Sequence, residues 1–182
     1  GASTATIGRV NRALNYGAGG YQQVLETMGT RPVVIRTLDS GGDKLIKEAG
    51  IHTEPEQNPL LGNRAIRLTL AHKSMFKRQL RALYRASVYG NLKIMLPMVT
   101  HLSQVEETLE LIQKVREELA AEKLAFKPDV PVGIMVETAA AAVSADIFSR
   151  HSDFFSIGTN DLTQYVRANY AVVICCPSER RA

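Results

Sequence analysis

The chain has 182 residues, 45% of them hydrophobic and 22% charged, with a formal net charge of +4. That is the ordinary range for a soluble globular protein with a real core, and no window approaches the roughly 18 uninterrupted apolar residues of a membrane span. The N-terminus GASTATIGRVNRAL carries no apolar signal core, so a cytoplasmic protein is expected. Cys175 and Cys176 are adjacent, which suits neither a disulfide framework nor a zinc site. The basic residues are dispersed, which permits an anionic ligand without demanding nucleic acid.

Residues 1–20 are rich in Gly, Ala, Ser and Thr with weak periodicity, and an irregular or disordered lead-in is expected there. The first strand signal is VVIRTLD, Val33 to Asp39, and a helix is expected over Lys73 to Tyr89. KIMLPMV, Lys93 to Val99, reads as the second strand. Ser103 is then positioned to cap a helix with Glu106, whose apolar stripe is Val105, Leu109, Ile112, Val115 and Leu119. VGIMVET, Val132 to Thr138, is the third strand, followed by an alanine-rich helix from Ala139 to Arg150. FFSIGTN, Phe154 to Asn160, is the fourth strand, and AVVICCPSERRA, Ala171 to Ala182, forms a divergent tail. Near-continuous apolar strands suggest burial on both faces, and their alternation with helices predicts an α/β fold with parallel strands, either an open sheet or a (βα)8 barrel.

In such folds ligands bind beyond the carboxyl ends of the strands, where three of the four runs carry polar groups. Glu137 closes the third run, and Asn160 and Asp161 close the fourth. Two carboxylates on neighbouring rims could bind Mg²⁺, although each could instead cap the helix that follows. Arg36 lies among apolar neighbours and needs an anionic partner, either a bound phosphate or carboxylate or a structural acid. Ser40-Gly41-Gly42-Asp43-Lys44 offers close backbone approach and a mobile cation, though a Gly-Gly turn alone is weak. Arg64 follows Pro59 and Gly62 where a loop enters a helix, a second candidate anion clamp. Lys73, Lys77, Arg81 and Arg85 recur on one helix face and read as a solvated outer surface, and His52, His72, His101 and His151 read as surface residues.

In order, RPVVIRTLDSGGDK, NPLLGNRAIR, LKIMLPMV, PVGIMVETAAA and DFFSIGTNDLTQY resemble the barrel domain of the Enzyme I family, the phosphoenolpyruvate-protein phosphotransferases of sugar transport. The likeness runs over about residues 21–165, leaving 166–182 as the divergent tail. It implies a (βα)8 TIM barrel that binds phosphoenolpyruvate (PEP) and Mg²⁺ at the strand ends. By motif position, Arg36, Lys44 and Arg64 fall at substrate-binding positions, Glu137 and Asp161 at the two Mg²⁺ ligands, and Asn160 at a phosphate contact. The partner it implies is a histidine phosphocarrier protein.

The sequence departs from that pattern. It contains no G-G-x-x-[ST]-H segment for a phosphorylated histidine, no M-C-G-E cysteine, and no first barrel strand with its own arginine, so no catalytic residue is assigned. Tyr170 and Ala171 stand where the family has Asp and Arg after NDLTQY, and Ser40 replaces an aliphatic residue. The expectation is an incomplete barrel of about four parallel strands, inactive alone, whose open edges allow a homodimer. A non-catalytic binding or assembly fragment is the alternative, and a lyase acting on a pyruvate enolate is the third reading.

Overall fold

The structure is a computed structural model and describes residues 18–39 and 62–167. The chain runs α1 (Ala18–Met28), β1 (Pro32–Arg36), α2 (Ala65–Ala71), α3 (Lys73–Ala86), a 3₁₀ turn (Ser87–Tyr89), β2 (Asn91–Leu96), α4 (Leu102–Ala121), β3 (Val132–Val136), α5 (Ala139–Val143), α6 (Ala145–Phe148), β4 (Phe155–Ile157) and α7 (Thr159–Arg167). The four strands form one sheet in the order β1-β2-β3-β4, and every pair is parallel. A doubly wound open sheet reverses its strand order at a switch point, whereas a barrel adds each strand beside the last. The sequential order therefore makes this sheet an arc of a (βα)8 barrel.

All four strand signals are found, but the ladders are shorter than the apolar runs. They end at Arg36, Leu96, Val136 and Ile157, so the last residues of each run leave the sheet and become the βα loops. The expected helix over Ala139–Arg150 is broken at Ser144 into α5 and α6. The start of α4 also differs from expectation. Its N-cap is His101, and Gln104 Oε1 accepts from the amides of Thr100 (2.9 Å) and His101 (3.1 Å), leaving Ser103 inside the first turn. The Gln three residues after the cap satisfies the amides of Thr100 and His101, which sets the capping box two residues before the one expected at Ser103 and Glu106.

Register fixes the two faces, because residues paired across a parallel ladder point the same way. Val33, Ile35, Leu92, Ile94, Leu96, Val132, Ile134 and Val136 face the helices, where they join Tyr21 and Leu25 of α1, Phe76, Leu80 and Leu83 of α3, and Ile112, Val115 and Leu119 of α4 in a single core. Val34, Arg36, Lys93, Met95, Gly133 and Met135 share the opposite, inner face. Burial on both faces holds for part of the sheet only: Met95 on the inner face is buried, whereas Val34 is 46% exposed.

The basic stripe is an outer face, as expected, and three of its four residues pair with acids across it. Lys73 pairs with Glu107 of α4 at 2.5 Å, Lys77 with Glu118, and Arg81 with Glu122 and, at 3.9 Å, Glu118. Residues four apart on α3 thus meet acids on the neighbouring helix. Such partly exposed pairs contribute little each, about 0–1 kcal/mol. Among the histidines, His101 is exposed and His72 and His151 are half-buried, while His52 lies outside the described residues.

Candidate functional site

Polar groups gather where the four runs leave the ladder at their carboxyl ends. After β1, the amide of Thr37 still bonds to Met95 O (2.9 Å), but the next amide, Leu38, turns to the buried side chain of Gln79 (3.1 Å), which in turn donates to Tyr21 Oη (3.3 Å). Gln79 of α3 therefore steers the chain out of the sheet. Gln79→Leu leaves a buried amide and hydroxyl without partners, and urea unfolding should show a loss of about 1–3 kcal/mol.

That turn brings Asp39 back over Arg36. Arg36 Nη1 lies 2.9 Å from Asp39 Oδ2 and 3.7 Å from Met135 Sδ, so its side chain crosses the inner face towards β3. Strict alternation would send Asp39 to the opposite side of the strand from Arg36. The strand ends at Arg36, however, and the partner of this half-buried arginine is Asp39. Asp39 Oδ1 also accepts from Arg64 Nη2 at 3.0 Å. Burial opposes the charge on Arg64, but the pairing with Asp39 outweighs it and raises the guanidinium above its ordinary pKa.

Glu137 follows β3 directly and is fully buried. It does not cap α5, because Thr138 does so, accepting from the Ala141 amide (3.1 Å) and donating to Val99 O (2.7 Å). Glu137 Oε1 accepts from the Met98 amide at 2.7 Å, while Oε2 has no partner. Met98 reaches that carboxylate with φ 58°, a left-handed conformation costly for a side-chain-bearing residue. Ala65, beside Arg64, has φ 51°, so two of the three non-glycine residues with positive φ among the described residues stand next to groups of the site. Burial pushes the Glu137 carboxyl up to about 7; the Met98 amide opposes the shift, Asp39 and Asp161 add to it, and Arg36 opposes it. Gly158 crosses closely over this acid: a Cβ there would stand 2.7 Å from Glu137 Cβ and 2.8 Å from Oε2.

Asp161 lies in the first turn of α7, near enough to act electrostatically on both Glu137 and Arg64. Tyr165, one turn further on, has its hydroxyl pKa raised chiefly by burial, with Arg64 and Arg67 opposing. Asn160 is exposed on the same turn. The cluster therefore joins Arg36, Arg64 and Asp39, with Glu137 and Asp161 beside them. Lys44 and the Gly-Gly segment lie outside the described residues. Among the described residues no three His, Cys, Asp or Glu side chains converge as a metal site; Glu137 and Asp161 are the two acids available. Asp39, Met98, Gly158 and Tyr165 were not singled out by sequence, although an Asp three residues after an Arg set among apolar residues was a legible signal.

The model of the family "PEP-utilising enzyme, PEP-binding domain" matches residues 11–170. The chain belongs to this family. Over 148 residues it is 51% identical to the phosphoenolpyruvate-protein phosphotransferases of Bacillus sp. (strain S) and Geobacillus stearothermophilus, covering 81% of this chain and 25% of each relative. The enzyme of the same name from Staphylococcus aureus is 50% identical over 148 residues, 81% of this chain and 26% of the relative. The chain thus spans about a quarter of the length of the curated relatives it matches. A solved citrate lyase from Burkholderia xenovorans LB400 overlaps 83% of this chain and 38% of its own, at 17% identity and a TM-score of 0.47, a likeness that carries no argument. No helix among the described residues is long and apolar enough to cross a membrane. As a PEP-binding domain the chain has its polar cluster where barrels of this type place ligands, at the carboxyl ends of the strands.

Proposed function

We propose that this cluster binds phosphoenolpyruvate with Mg²⁺, as the substrate-binding part of a phosphoenolpyruvate-protein phosphotransferase. In this reading the phosphoryl group passes to a histidine, with a histidine phosphocarrier protein as the downstream partner in sugar uptake. The observation that carries the reading is the buried Glu137 Oε2, which has no hydrogen-bond partner and lies within electrostatic reach of Asp161 and Arg36. An unpartnered acceptor in a buried carboxylate costs free energy unless something positive completes it.

Glu137 and Asp161 are the residues that would hold the metal. Mg²⁺ typically takes one or two carboxylates and fills its remaining positions with water and ligand oxygens, so two acids suffice. When bound it would offset negative charge on the phosphate. Phosphoenolpyruvate carries a phosphate and a carboxylate, and Arg36 and Arg64 offer planar donor sets that suit either group. Asn160 and Lys44 are assigned to the phosphate by motif position. The arginines orient the anion and balance charge that builds as the phosphoryl group departs.

Calorimetric titration with phosphoenolpyruvate in Mg²⁺ buffer tests the proposal. Arg36→Lys should weaken binding roughly tenfold or more while leaving the melting temperature nearly unchanged, because lysine keeps the charge and loses the fork. Asp161→Asn should weaken Mg²⁺ binding in the same titration. Failure of the native chain to bind, or binding indifferent to both substitutions, would overturn the assignment.

A further inference from the structure

The acid between the two arginines is not one of the proposed ligand contacts, yet it is the most enclosed member of the group. The Asp39 side chain is 4% exposed, against 24% for Arg36 and 15% for Arg64. The carboxylate therefore lies beneath the guanidiniums with respect to solvent, and an arriving anion meets the arginines first. Arg36 comes from the end of β1 and Arg64 from the approach to α2, so no local geometry keeps them together. Two guanidiniums side by side repel each other, and one carboxylate shared between them offsets that repulsion. Each spends only a terminal nitrogen on Asp39, Nη1 of Arg36 and Nη2 of Arg64, out of five N–H donors per guanidinium. Arg64 Nε is buried and has no hydrogen-bond partner.

We infer that Asp39 is a positioning residue that locks Arg36 and Arg64 into one preformed anion clamp, gripping both from below and leaving their outer donors to the ligand. The inference rests on the phosphoenolpyruvate reading for the identity of the anion, but not for the clamp itself. A carboxylate that merely occupied the place of the ligand would compete with it. Loss of Asp39 would then tighten binding, whereas loss of a positioning group weakens it by adding the cost of ordering two long side chains.

The test uses the whole 182-residue chain and two readouts. In calorimetry with phosphoenolpyruvate and Mg²⁺, Asp39→Asn should bind roughly tenfold more weakly, since one charge-assisted partner is lost to each arginine. Asp39→Glu keeps the charge but moves it by a methylene, and should also bind more weakly; it serves alone if the Asn variant does not fold. Separately, modification by phenylglyoxal, followed peptide by peptide in a mass spectrometer, should be faster at both Arg36 and Arg64 in either variant, with exposed Arg85 unchanged as the standard. Tighter or unchanged binding in the variants overturns the inference, as does unchanged reactivity at the two arginines. If the native chain binds no phosphoenolpyruvate, the proposed function falls, and the phenylglyoxal rates still decide whether Asp39 holds the clamp.

Discussion

Glu137→Gln is expected to abolish measurable Mg²⁺ binding and yet make the ligand-free chain more stable at pH 8. In the folded chain the Glu137 carboxyl titrates at about 7 against an ordinary 4.5, chiefly because burial disfavours its charge. The folded state thus holds this proton more tightly than the unfolded state. The stability that this group contributes falls as pH rises from the ordinary value to about 7 and is constant above it. At about 1.4 kcal/mol per pKa unit the strain of the ionised acid amounts to about 3 kcal/mol, and glutamine, which keeps an oxygen for the Met98 amide, removes most of it. Urea unfolding at several pH values should show a gain at pH 8 that shrinks through pH 6 and is gone near pH 4. A difference that does not vary with pH would mean that Glu137 stores no such strain. The trade is one that binding sites commonly make, holding a charge in a place that only the ligand can complete.

Gly133→Ala should be the most destabilising single-methyl change in the sheet. A Cβ at that position would lie 2.5 Å from the carbonyl oxygen of Phe154 and 2.6 Å from two of its ring carbons. The same carbonyl accepts the Ile134 amide at 3.2 Å, so β4 cannot move away without giving up a bond that ties it to β3. Overpacking of a rigid site costs about 1–3 kcal/mol, and contact with backbone places this substitution at or above the upper end. Thermal unfolding by circular dichroism gives the measurement. Adding Phe154→Ala removes the ring clash but not the carbonyl clash, so the double variant should regain only part of the loss. A Gly133→Ala chain as stable as the native one would show that β3 and β4 can part at no cost.

Much of the fold could be read from the residues. β-branched runs at Val33–Arg36, Lys93–Leu96 and Val132–Val136 pair with neighbours as expected, because burial against helices leaves them little alternative. The sequence could not say where each ladder stops, since apolar character continues through Leu38, Met98 and Val99 after pairing ends. What ends it is a side chain from elsewhere: Gln79 takes the Leu38 amide and Glu137 takes the Met98 amide. Candidate polar residues were legible one by one, from Arg36 in its apolar setting to Glu137 at a strand end. Their pairings were not, because the link between Arg36 and Arg64 runs through Asp39, whose direction depends on a turn and not on strand alternation.

The loop after β2 is held by what comes after it. Glu137 takes the Met98 amide from 39 residues downstream, Thr138 bonds to Val99 O at the same separation, and Gly158 fits closely over Glu137 in turn. A chain made on the ribosome from its N-terminus therefore completes β2 well before Glu137 and Thr138 exist to fix Met98 and Val99. At a synthesis rate of about 5–20 residues per second the interval is a few seconds, long compared with the closing of a short loop. The helical packing of α1 on α3 needs no such wait, because Tyr21, Leu25, Phe76 and Leu80 are all in place before β2 is made. Scaffold and loop thus mature on separate clocks: the hydrophobic layer can consolidate as it emerges, whereas the turn at Met98 and Val99 is set only after β3 has followed.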